Sequence, residues 1–514
     1  MSAVLLPARA PRRIALPGVL RTSAGRLLRL ELRRSPMLWI LPLAVLVFWL
    51  DTYRSTMVLP PLWGSRALIL RQGSAADDFA PFVIGAAAWA GGRDRRRGTD
   101  EQVEATALPR WAARLTTCTA ALCWALLANL LCVAVLYGVT AAQGAAGRPL
   151  WWPVAVTEVA VLAFGAAGFA AGTLLPSRFT APLAAIVVAL MLRQTLRSGG
   201  TFALLSPTVS PMYSLEALRP DAGVFTPYLP DLSITRILFM GGAAVAALGL
   251  LGVQRSCGAI GLRRAAAAVV AVGLAASVTA AVLVGTAKST ATGVVVPALH
   301  DAADDRPIPA VLVCSSGAVP VCLNPVYRRY LPAATAALDP LRREVAGLPG
   351  APVRMDQVAA PERFPQVAAA RITGTPPVAQ VSFDFGYDGA VWLGPGGQGR
   401  GCCSAVQLWS SAAYLHAQVL PLVAVPVVDG LVGHAGPAQQ AVSEGLLQAV
   451  GVPSDELAVL VAVQAAPAGL SGPGTPVQAA GQRFAALPAA TRHAWLTAHL
   501  ADLRAGRITL DQLP

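Results

Sequence analysis

Long apolar runs alternate with short polar segments through the first 290 residues, and this pattern predicts membrane-spanning helices. Seven runs approach the roughly 20 mostly apolar residues that a helix needs to cross a bilayer. Their approximate cores are residues 36–52, 78–92, 115–139, 153–175, 179–195, 235–253 and 265–287. The run at 78–92 is short enough to suit a re-entrant or buried segment instead.

The N-terminal segment, residues 1–35, is basic and precedes the first apolar run. Its eight arginines and the late start of that run argue against a cleavable signal peptide. The stretch RTSAGRLLRLELRRSP predicts an amphipathic helix that lies on the cytoplasmic surface of the membrane. A basic flank that only orients the first span is the alternative interpretation.

The distribution of basic residues predicts the topology of a seven-helix transmembrane domain over residues 36–287. With a cytoplasmic N-terminus, the inner segments carry 18 of the 27 basic residues in residues 1–297. This agrees with the positive-inside rule, whereas omitting the second span would place the arginines of residues 93–97 outside. Seven crossings then put a linker, residues 288–300, and a C-terminal domain, residues 301–514, on the extracytoplasmic side.

Shorter periodic segments predict that the C-terminal domain has an α+β fold. AVLVCSS, PVRMDQV and AQVSFDF have the composition and alternation of strands. Helical periodicity is found in residues 327–348, 404–420, 437–450 and 486–506. The predicted fold class is therefore an α-helical polytopic membrane domain of about seven spans, with its N-terminus inside, followed by an extracytoplasmic α+β domain.

The composition supports a multi-pass protein of the cell membrane, because 55% of the residues are hydrophobic, 13% are charged and the mean hydropathy is +0.57. The net charge of +13 belongs to the membrane part. Residues 1–297 hold 27 basic against 12 acidic residues, and residues 298–514 hold 13 against 15. The basic excess therefore indicates topology and contact with an anionic lipid bilayer, and no nucleic-acid-binding motif is found.

A strongly polar segment, GGRDRRRGTDEQVEATALPRW, separates the second and third predicted spans. Thr99 and Gln102 have the spacing of a capping box, and Glu101 places negative charge on the first turn of the helix that would follow. Gly98 allows a sharp entry, and Pro109 marks the end. The pattern predicts a short cytoplasmic helix that needs a partner surface, because two turns have little stability alone. A connector resting on lipid headgroups is the alternative.

The same segment resembles the signature loop of ABC-2 type exporter permeases, which reads approximately E-R-E-x-G-T-x-E-x-L followed by a proline. The residues that follow this pattern, the first of them conservatively, are Asp94, Arg95, Gly98, Thr99 and Glu101. Arg96 stands in place of the family's second acid, and Val103 in place of its leucine. The resemblance extends over roughly residues 20–255.

The resemblance implies a permease that exports a substrate with energy from a separate P-loop ATPase subunit. That subunit would dock on the cytoplasmic loop of residues 94–109, through Asp94, Arg95, Gly98, Thr99, Glu101 and Gln102. The chain itself has no G-x-x-x-x-G-K-[ST] motif, and its only lysine is Lys288. Permeases of this family work in pairs, which implies a homodimer or a sister permease. The seventh span and the C-terminal domain are additions to the family's six spans.

Few polar groups lie within the predicted spans. Glu158 is an ionisable group at membrane depth and therefore a candidate functional residue, although its closeness to Trp151 also allows it to reach the outer interface. Asn129 is expected to form a hydrogen bond between helices. Gly168 and Gly172 have G-x-x-x-G spacing, which predicts close helix packing either within the chain or between two copies.

Four of the eight cysteines fall in the C-terminal domain, namely Cys314, Cys322, Cys402 and Cys403. An even number in an oxidising compartment predicts disulfides, either between Cys314 and Cys322 or from each of these to one of the adjacent pair. Metal binding by Cys402 and Cys403 is the alternative, but the C-x-x-C spacing is absent.

The C-terminal domain contains no intact catalytic motif. AVSEGLLQAVGV has the shape of the H-E-x-x-H helix of zinc peptidases, but Ser443 and Leu447 occupy the histidine positions. Glu444 is then expected to be a solvated helix residue. No catalytic residue, cofactor or metal is predicted, although a degenerate peptidase-like domain remains open. A non-transporting membrane-anchored receptor or assembly factor and an outer-face hydrolase are the alternatives to export.

Overall fold

The computed structural model of this 514-residue chain describes residues 17–58, 62–71, 76–99, 110–145, 147–197, 201–208, 223–253, 260–290, 293–309, 311–317, 319–359, 371–381, 390–392, 406–408, 424, 427–428, 436–452 and 474–514.

Helices dominate the N-terminal half, and every predicted span contains one. Their bounds are α1 Pro17–Arg34, α2 Met37–Val58, α3 Trp63–Arg71, α4 Ala76–Gly91, α5 Arg93–Arg97, α6 Arg110–Ala142, α7 Trp151–Leu174, α8 Thr180–Arg197, α9 Asp231–Val253 and α10 Ile260–Gly285. Four of them, α6, α7, α9 and α10, are long and apolar enough to cross a membrane, and α1 with α2 forms a bent fifth candidate. These apolar helices are therefore compatible with a multi-pass membrane protein. The number of seven spans stays a prediction.

The bend between α1 and α2 separates an amphipathic helix from an apolar one. Residues Gly25–Arg34 and Met37–Leu50 meet at 53°. Pro36 disfavours a helical conformation at Ser35 and lacks the amide that would continue the helix. Instead, the Met37 amide donates to Oγ of Ser35 at 3.3 Å, which begins a new helix. The two helices therefore meet at a break and do not form one straight helix.

Helices α4 and α7 pack with their backbones in close contact. A Cβ atom at Gly168 would lie 2.4 Å from the carbonyl oxygen of Ile84, and one at Gly172 would lie 2.0 Å from that of Ala88. Gly91 approaches α7 in the same way, because its Cβ atom would lie 2.3 Å from the carbonyl oxygen of Phe169. The predicted glycine face is thus used within the chain.

The helices have two distinct ends, about 36 Å apart along the 24 residues of α7. At the first, here called the basic end, Gly172 of α7 faces the junction of α4 and α5, and α1 lies against α6. At the second, here called the domain end, Leu62 and Val224 join the hydrophobic core of the C-terminal domain. The amide of Ile308 also donates to the carbonyl of Phe225 at 2.8 Å. The C-terminal domain therefore contacts the loops that follow α2 and α8.

The C-terminal domain is built on a mixed five-stranded sheet. Its strands, β3 Val313–Cys314, β4 Val321–Leu323, β5 Arg354–Gln357, β6 Arg371–Thr373 and β7 Val378–Val381, have the order β3-β4-β5-β7-β6. The pairs β4-β5 and β5-β7 are parallel, and both edge strands are antiparallel. The remaining helices are α11 Leu331–Val345, α12 Pro437–Ala449, α13 Pro476–Ala486 and α14 Ala489–Arg504. Helix α11 connects β4 to β5, as parallel strands require.

The predicted elements of this domain are largely confirmed, with two corrections. The predicted strands correspond to β3, β5 and β7. The predicted helix at 404–420 is wrong where it can be compared, because β9, Val406–Leu408, pairs with β8, Ala390–Trp392. A short apolar run does not distinguish a helix from a strand. The expected linker also contains a hairpin, in which β1, Lys288–Thr290, pairs with β2, Gly293–Val295.

Candidate functional site

The segment from Gly91 to Thr99, here called the arginine loop, forms a compact turn at the basic end. One residue, Gly92, separates α5 from the end of α4, and Gly98 adopts a left-handed conformation with φ of 65°. The amides of Gly98 and Thr99 donate to the carbonyls of Arg95 and Asp94 at 3.2 and 3.1 Å. Glycine is favoured at such a cap, because a residue with a Cβ atom is disfavoured at positive φ.

The structure shows one part of the role predicted for Gly98. Gly98 turns the chain as expected, and it ends α5. The Thr99 hydroxyl donates back to the carbonyl of Asp94 at 3.3 Å. Glu101 and Gln102, with the helix predicted to follow Thr99, lie outside the described residues. Asp94, Arg95, Gly98 and Thr99 thus lie together in one turn at the end of α5.

An ion pair joins the arginine loop to the N-terminal helix. Nη2 and Nη1 of Arg93 donate to Oε1 and Oε2 of Glu31 at 2.8 and 3.0 Å, in a bidentate arrangement. Glu31 is only 7% exposed, and its hydrogen bonds raise the pKa of Arg93 above the usual value. Glu31 is the only acidic residue among the first 35, and this is the signal that sequence reasoning missed.

A second contact holds α1 against the long helix α6. The indole Nε1 of Trp124 donates to the carbonyl oxygen of Leu32 at 2.8 Å. Leu32 follows Glu31 directly, so two adjacent residues of α1 are fixed, one to the arginine loop and one to α6. The N-terminal helix, the arginine loop and α6 therefore form one connected unit.

Arg96 folds back onto the end of α4. Its guanidinium carbon lies 4.1 Å from the ring centroid of Trp89, and Nη2 donates to the carbonyl oxygen of the same residue. Burial, followed by the charge of Arg97, lowers the pKa of Arg96. Arg97 is exposed, as are Arg33 and Arg34 at the end of α1. The basic end thus presents exposed arginines beside a guanidinium that is held by an aromatic ring.

The two polar residues predicted within the spans are brought together. Nδ2 of Asn129 on α6 donates to Oε1 of Glu158 on α7 at 2.9 Å. Asn129 is fully buried, so the predicted hydrogen bond between helices is confirmed. Glu158 is therefore fixed to a neighbouring helix, which is a more specific arrangement than a side chain that merely reaches the interface.

The cysteine prediction is resolved for one pair. Cys314 and Cys322 stand directly opposite each other on β3 and β4 and form a disulfide. Cys402 and Cys403 lie outside the described residues. Within the part of the chain that the structure describes, no group of three or more His, Cys, Asp and Glu side chains could hold a metal ion.

The expectation that Glu444 is solvated is wrong. Glu444 is 3% exposed and Ser443 is fully buried, because α12 packs on α13 through Gly445 and Gly481. A Cβ atom at Gly445 would lie 2.7 Å from the carbonyl oxygen of Gly481. The helix with the shape of a peptidase helix is thus a core element of the C-terminal domain.

A charged cluster at the domain end was not predicted. Nδ1 of His300 lies 3.3 Å from the fully buried carboxylate of Asp231, and Nε2 lies 2.9 Å from that of Asp305. Asp231 also accepts from the amide of Val296 at 3.0 Å. The hydrogen bond with Asp305 is the main cause of a raised His300 pKa. The cluster fixes the start of α9 to the segment entering the C-terminal domain.

Comparison with protein-family models, curated proteins and solved structures gives no match to this chain. The functional interpretation rests on the sequence pattern and on the contacts above.

Proposed function

We propose that the chain is the membrane permease subunit of an ABC-2 type export system, energised by a separate P-loop ATPase that docks on the 94–109 loop. In this proposal seven helices cross the membrane. The N-terminus and the arginine loop are cytoplasmic, and the C-terminal domain is extracytoplasmic. The observation that carries the proposal is the bidentate ion pair between Glu31 and Arg93.

The ion pair matters because a docking loop must pass the movement of its partner to the spans. A flexible loop would absorb that movement. Here Arg93 is tied to α1, and Gly91 lies against the backbone of α7. A displacement of the arginine loop would therefore shift α1, α4 and α7 together. Such rigid connection is expected of a coupling element and is unnecessary for a simple connector between spans.

Two features support the proposed orientation. The exposed arginines of α1 and the arginine loop cluster at the basic end, as the positive-inside rule requires of a cytoplasmic face. The C-terminal domain contains the disulfide between Cys314 and Cys322, which is typical of an oxidising compartment. The arginines of the basic end thus suit a cytoplasmic face, and the disulfide of the C-terminal domain suits the extracytoplasmic side.

The C-terminal domain is proposed to capture, gate or hand on the exported substrate. Its hydrophobic core includes Leu62 and Val224 from the loops that follow α2 and α8. A movement of these helices would therefore reach the domain directly. The resemblance to paired permeases further leads us to propose a homodimer or a complex with a sister permease in the bilayer. No role for nucleic acid, a cofactor or catalysis is proposed.

The docking proposal is tested by a backbone substitution with a matched control. Gly98 and Gly347 both have positive φ, 65° and 78°, and a Cβ atom at either would meet no other atom of the described residues within 4 Å. Valine at either position strains the local backbone, at a cost of about 1–2 kcal/mol. The full chain is purified in mild detergent from its own cells, and the co-purifying ATPase is identified and quantified.

We expect Gly98→Val to reduce the amount of bound ATPase at least severalfold, and Gly347→Val to leave it unchanged. Equal ATPase recovery with both variants would contradict docking at this loop. Purification of the wild-type chain without any ATPase would favour the second candidate, a non-transporting receptor or assembly factor. The contact of Arg96 with Trp89 supports this second candidate, because ABC-2 type permeases have an acidic residue at the position of Arg96.

A further inference from the structure

Two buried N–H donors of helix α3 have no hydrogen-bond acceptor in the part of the chain that the structure describes. Arg66 is 1% exposed and Trp63 is 9% exposed, although both carry polar groups. Nε of Arg66 donates to Oγ1 of Thr140 at 3.0 Å, and Nη2 donates to Oε1 of Gln143 at 3.2 Å. Nη1 of Arg66 and Nε1 of Trp63 are left without an acceptor among the described residues. Buried donors without acceptors destabilise the folded protein, so we expect a bound acceptor group beside these two donors.

Among the described residues, the charge of Arg66 also has no ion-pair partner. Both of its hydrogen-bond partners are neutral, and no carboxylate among the described residues lies within ion-pair distance. Burial, together with the like charge of Arg329, lowers the pKa of Arg66 to about 10. The guanidinium nevertheless stays protonated at neutral pH. A buried cation beside a second cation is strongly destabilising unless an anion lies between or beside them.

The aromatic residues beside this pair are of the kind that is enriched at the depth of lipid headgroups. The ring centroid of Trp63 lies 5.3 Å from that of Tyr137, which lies 5.7 Å from that of Trp151. Trp151 is 63% exposed at the start of α7, as expected of an aromatic belt at a membrane interface. Phosphate groups are the anions concentrated at that depth.

Helices α3 and α6 give the pair a defined geometry. Trp63 and Arg66 are three residues apart and share one face of α3. Their partners Tyr137 and Thr140 have the same spacing on α6. Gln143, which accepts from Arg66, and Arg329, whose charge acts on it, are both exposed, so the surface lies next to the buried guanidinium.

We propose that Arg66 and Trp63 form a binding site for a phosphate group at the domain end of the helix bundle. Guanidinium and indole N–H donors suit phosphate oxygens, and the delocalised charge of arginine favours such contacts in partly dry sites. The phosphate can come from a phospholipid headgroup or from free inorganic phosphate. The site goes beyond the proposed export function and does not depend on it.

The experiment uses the delipidated full chain in detergent. Its unfolding temperature and its bound lipids are measured with added phosphatidylglycerol, with diacylglycerol as a lipid without phosphate, and with inorganic phosphate. We expect phosphatidylglycerol to raise the unfolding temperature by about 2–4 °C and to remain bound at one molecule per chain in native mass spectrometry. Diacylglycerol should do neither. A shift with inorganic phosphate alone would support the site and assign it to the free anion.

Two variants test whether the stabilisation by phosphate depends on Arg66 and Trp63. Arg66→Gln should abolish the phosphate-dependent shift. Trp63→Phe keeps an aromatic ring beside Tyr137 and removes only the indole N–H, so it should weaken binding roughly tenfold. Arg236→Gln, at a buried arginine bonded to the carbonyl of Leu204, is the control and should keep the shift. The proposal is overturned if neither phosphate source stabilises the protein, or if Trp63→Phe responds like the wild type.

Discussion

The close contact of α4 with α7 predicts a large effect from a single methyl group at Gly172. A Cβ atom there would lie 2.0 Å from the oxygen, 2.7 Å from the carbon and 2.9 Å from the Cα atom of Ala88. All three are backbone atoms that cannot rotate away. Ordinary contact begins near 3.4 Å, so the helices must separate locally by about 1.4 Å. Overpacking of this kind costs about 1–3 kcal/mol.

The helical preference of alanine opposes this cost by about 1 kcal/mol. Because all three clashes are with backbone atoms, we take the upper end of that cost and expect Gly172→Ala to destabilise the protein by about 2 kcal/mol. With an unfolding entropy of about 2.1 cal/mol/K per residue over 514 residues, the unfolding temperature should fall by about 2 °C. Gly138→Ala on α6 is the matched control, because a Cβ atom there would meet nothing within 4 Å. It should leave the unfolding temperature unchanged or raise it slightly.

The assay is thermal unfolding of the full chain in detergent, followed by size-exclusion chromatography of the protein that remains monodisperse. Equal unfolding temperatures for Gly172→Ala and Gly138→Ala would refute the packing of α4 on α7. Because α4 leads directly into the arginine loop, Gly172→Ala should also reduce the amount of bound ATPase. Gly138→Ala should not.

Three further predictions follow from individual contacts. Glu31→Gln and Arg93→Gln should each destabilise the protein by about 2 kcal/mol. In a double-mutant cycle of thermal unfolding, the double variant should lose clearly less stability than the sum of the two single variants. Additive losses would show that the ion pair does not form. Because the raised pKa of His300 lies above the unfolded value of about 6.5, its stabilisation is complete below pH 6.5 and is lost as the pH rises through the raised pKa. His300→Gln should remove this loss of stability with rising pH from the pH dependence of unfolding. An unchanged pH profile in the variant would contradict the role of His300. Cys314→Ser should lower stability by about 2.5 kcal/mol, because the disulfide to Cys322 closes a short loop with a sequence separation of eight; the same unfolding temperature with and without reductant in the wild type would exclude the bond.

Local patterns were sufficient for the parts of the fold that depend on local physics. Apolar runs located the helices of the membrane part, and Pro36 accounts for the bend that ends the amphipathic helix. Gly98 was recognised as a turn because its conformation is set by its own backbone. The pairing of Cys314 with Cys322 was one of the possibilities, and the antiparallel strands that contain them select it.

Contacts between distant residues could not be read from local patterns. Glu31 and Arg93 are 62 positions apart, and only the packing of α1 beside the end of α4 brings them together. The burial of Glu444 has the same origin, because a charged residue on an amphipathic helix is exposed unless a second helix covers it. Here α13 approaches through Gly481 and covers that face. The buried environment of Arg66 has the same cause, because it forms only when α3 packs against α6.

The central claim is that the arginine loop faces the cytosol while the C-terminal domain lies on the opposite side of the membrane. Single cysteines replace Arg97 and, separately, Arg343, whose side chain is 74% exposed, in a chain that keeps the disulfide and has its other cysteines changed to serine. A membrane-impermeant maleimide is then applied to intact cells. The account predicts labelling at position 343 and labelling at position 97 only after the membrane is permeabilised. Labelling at 97 in intact cells, or protection of 343, would contradict it.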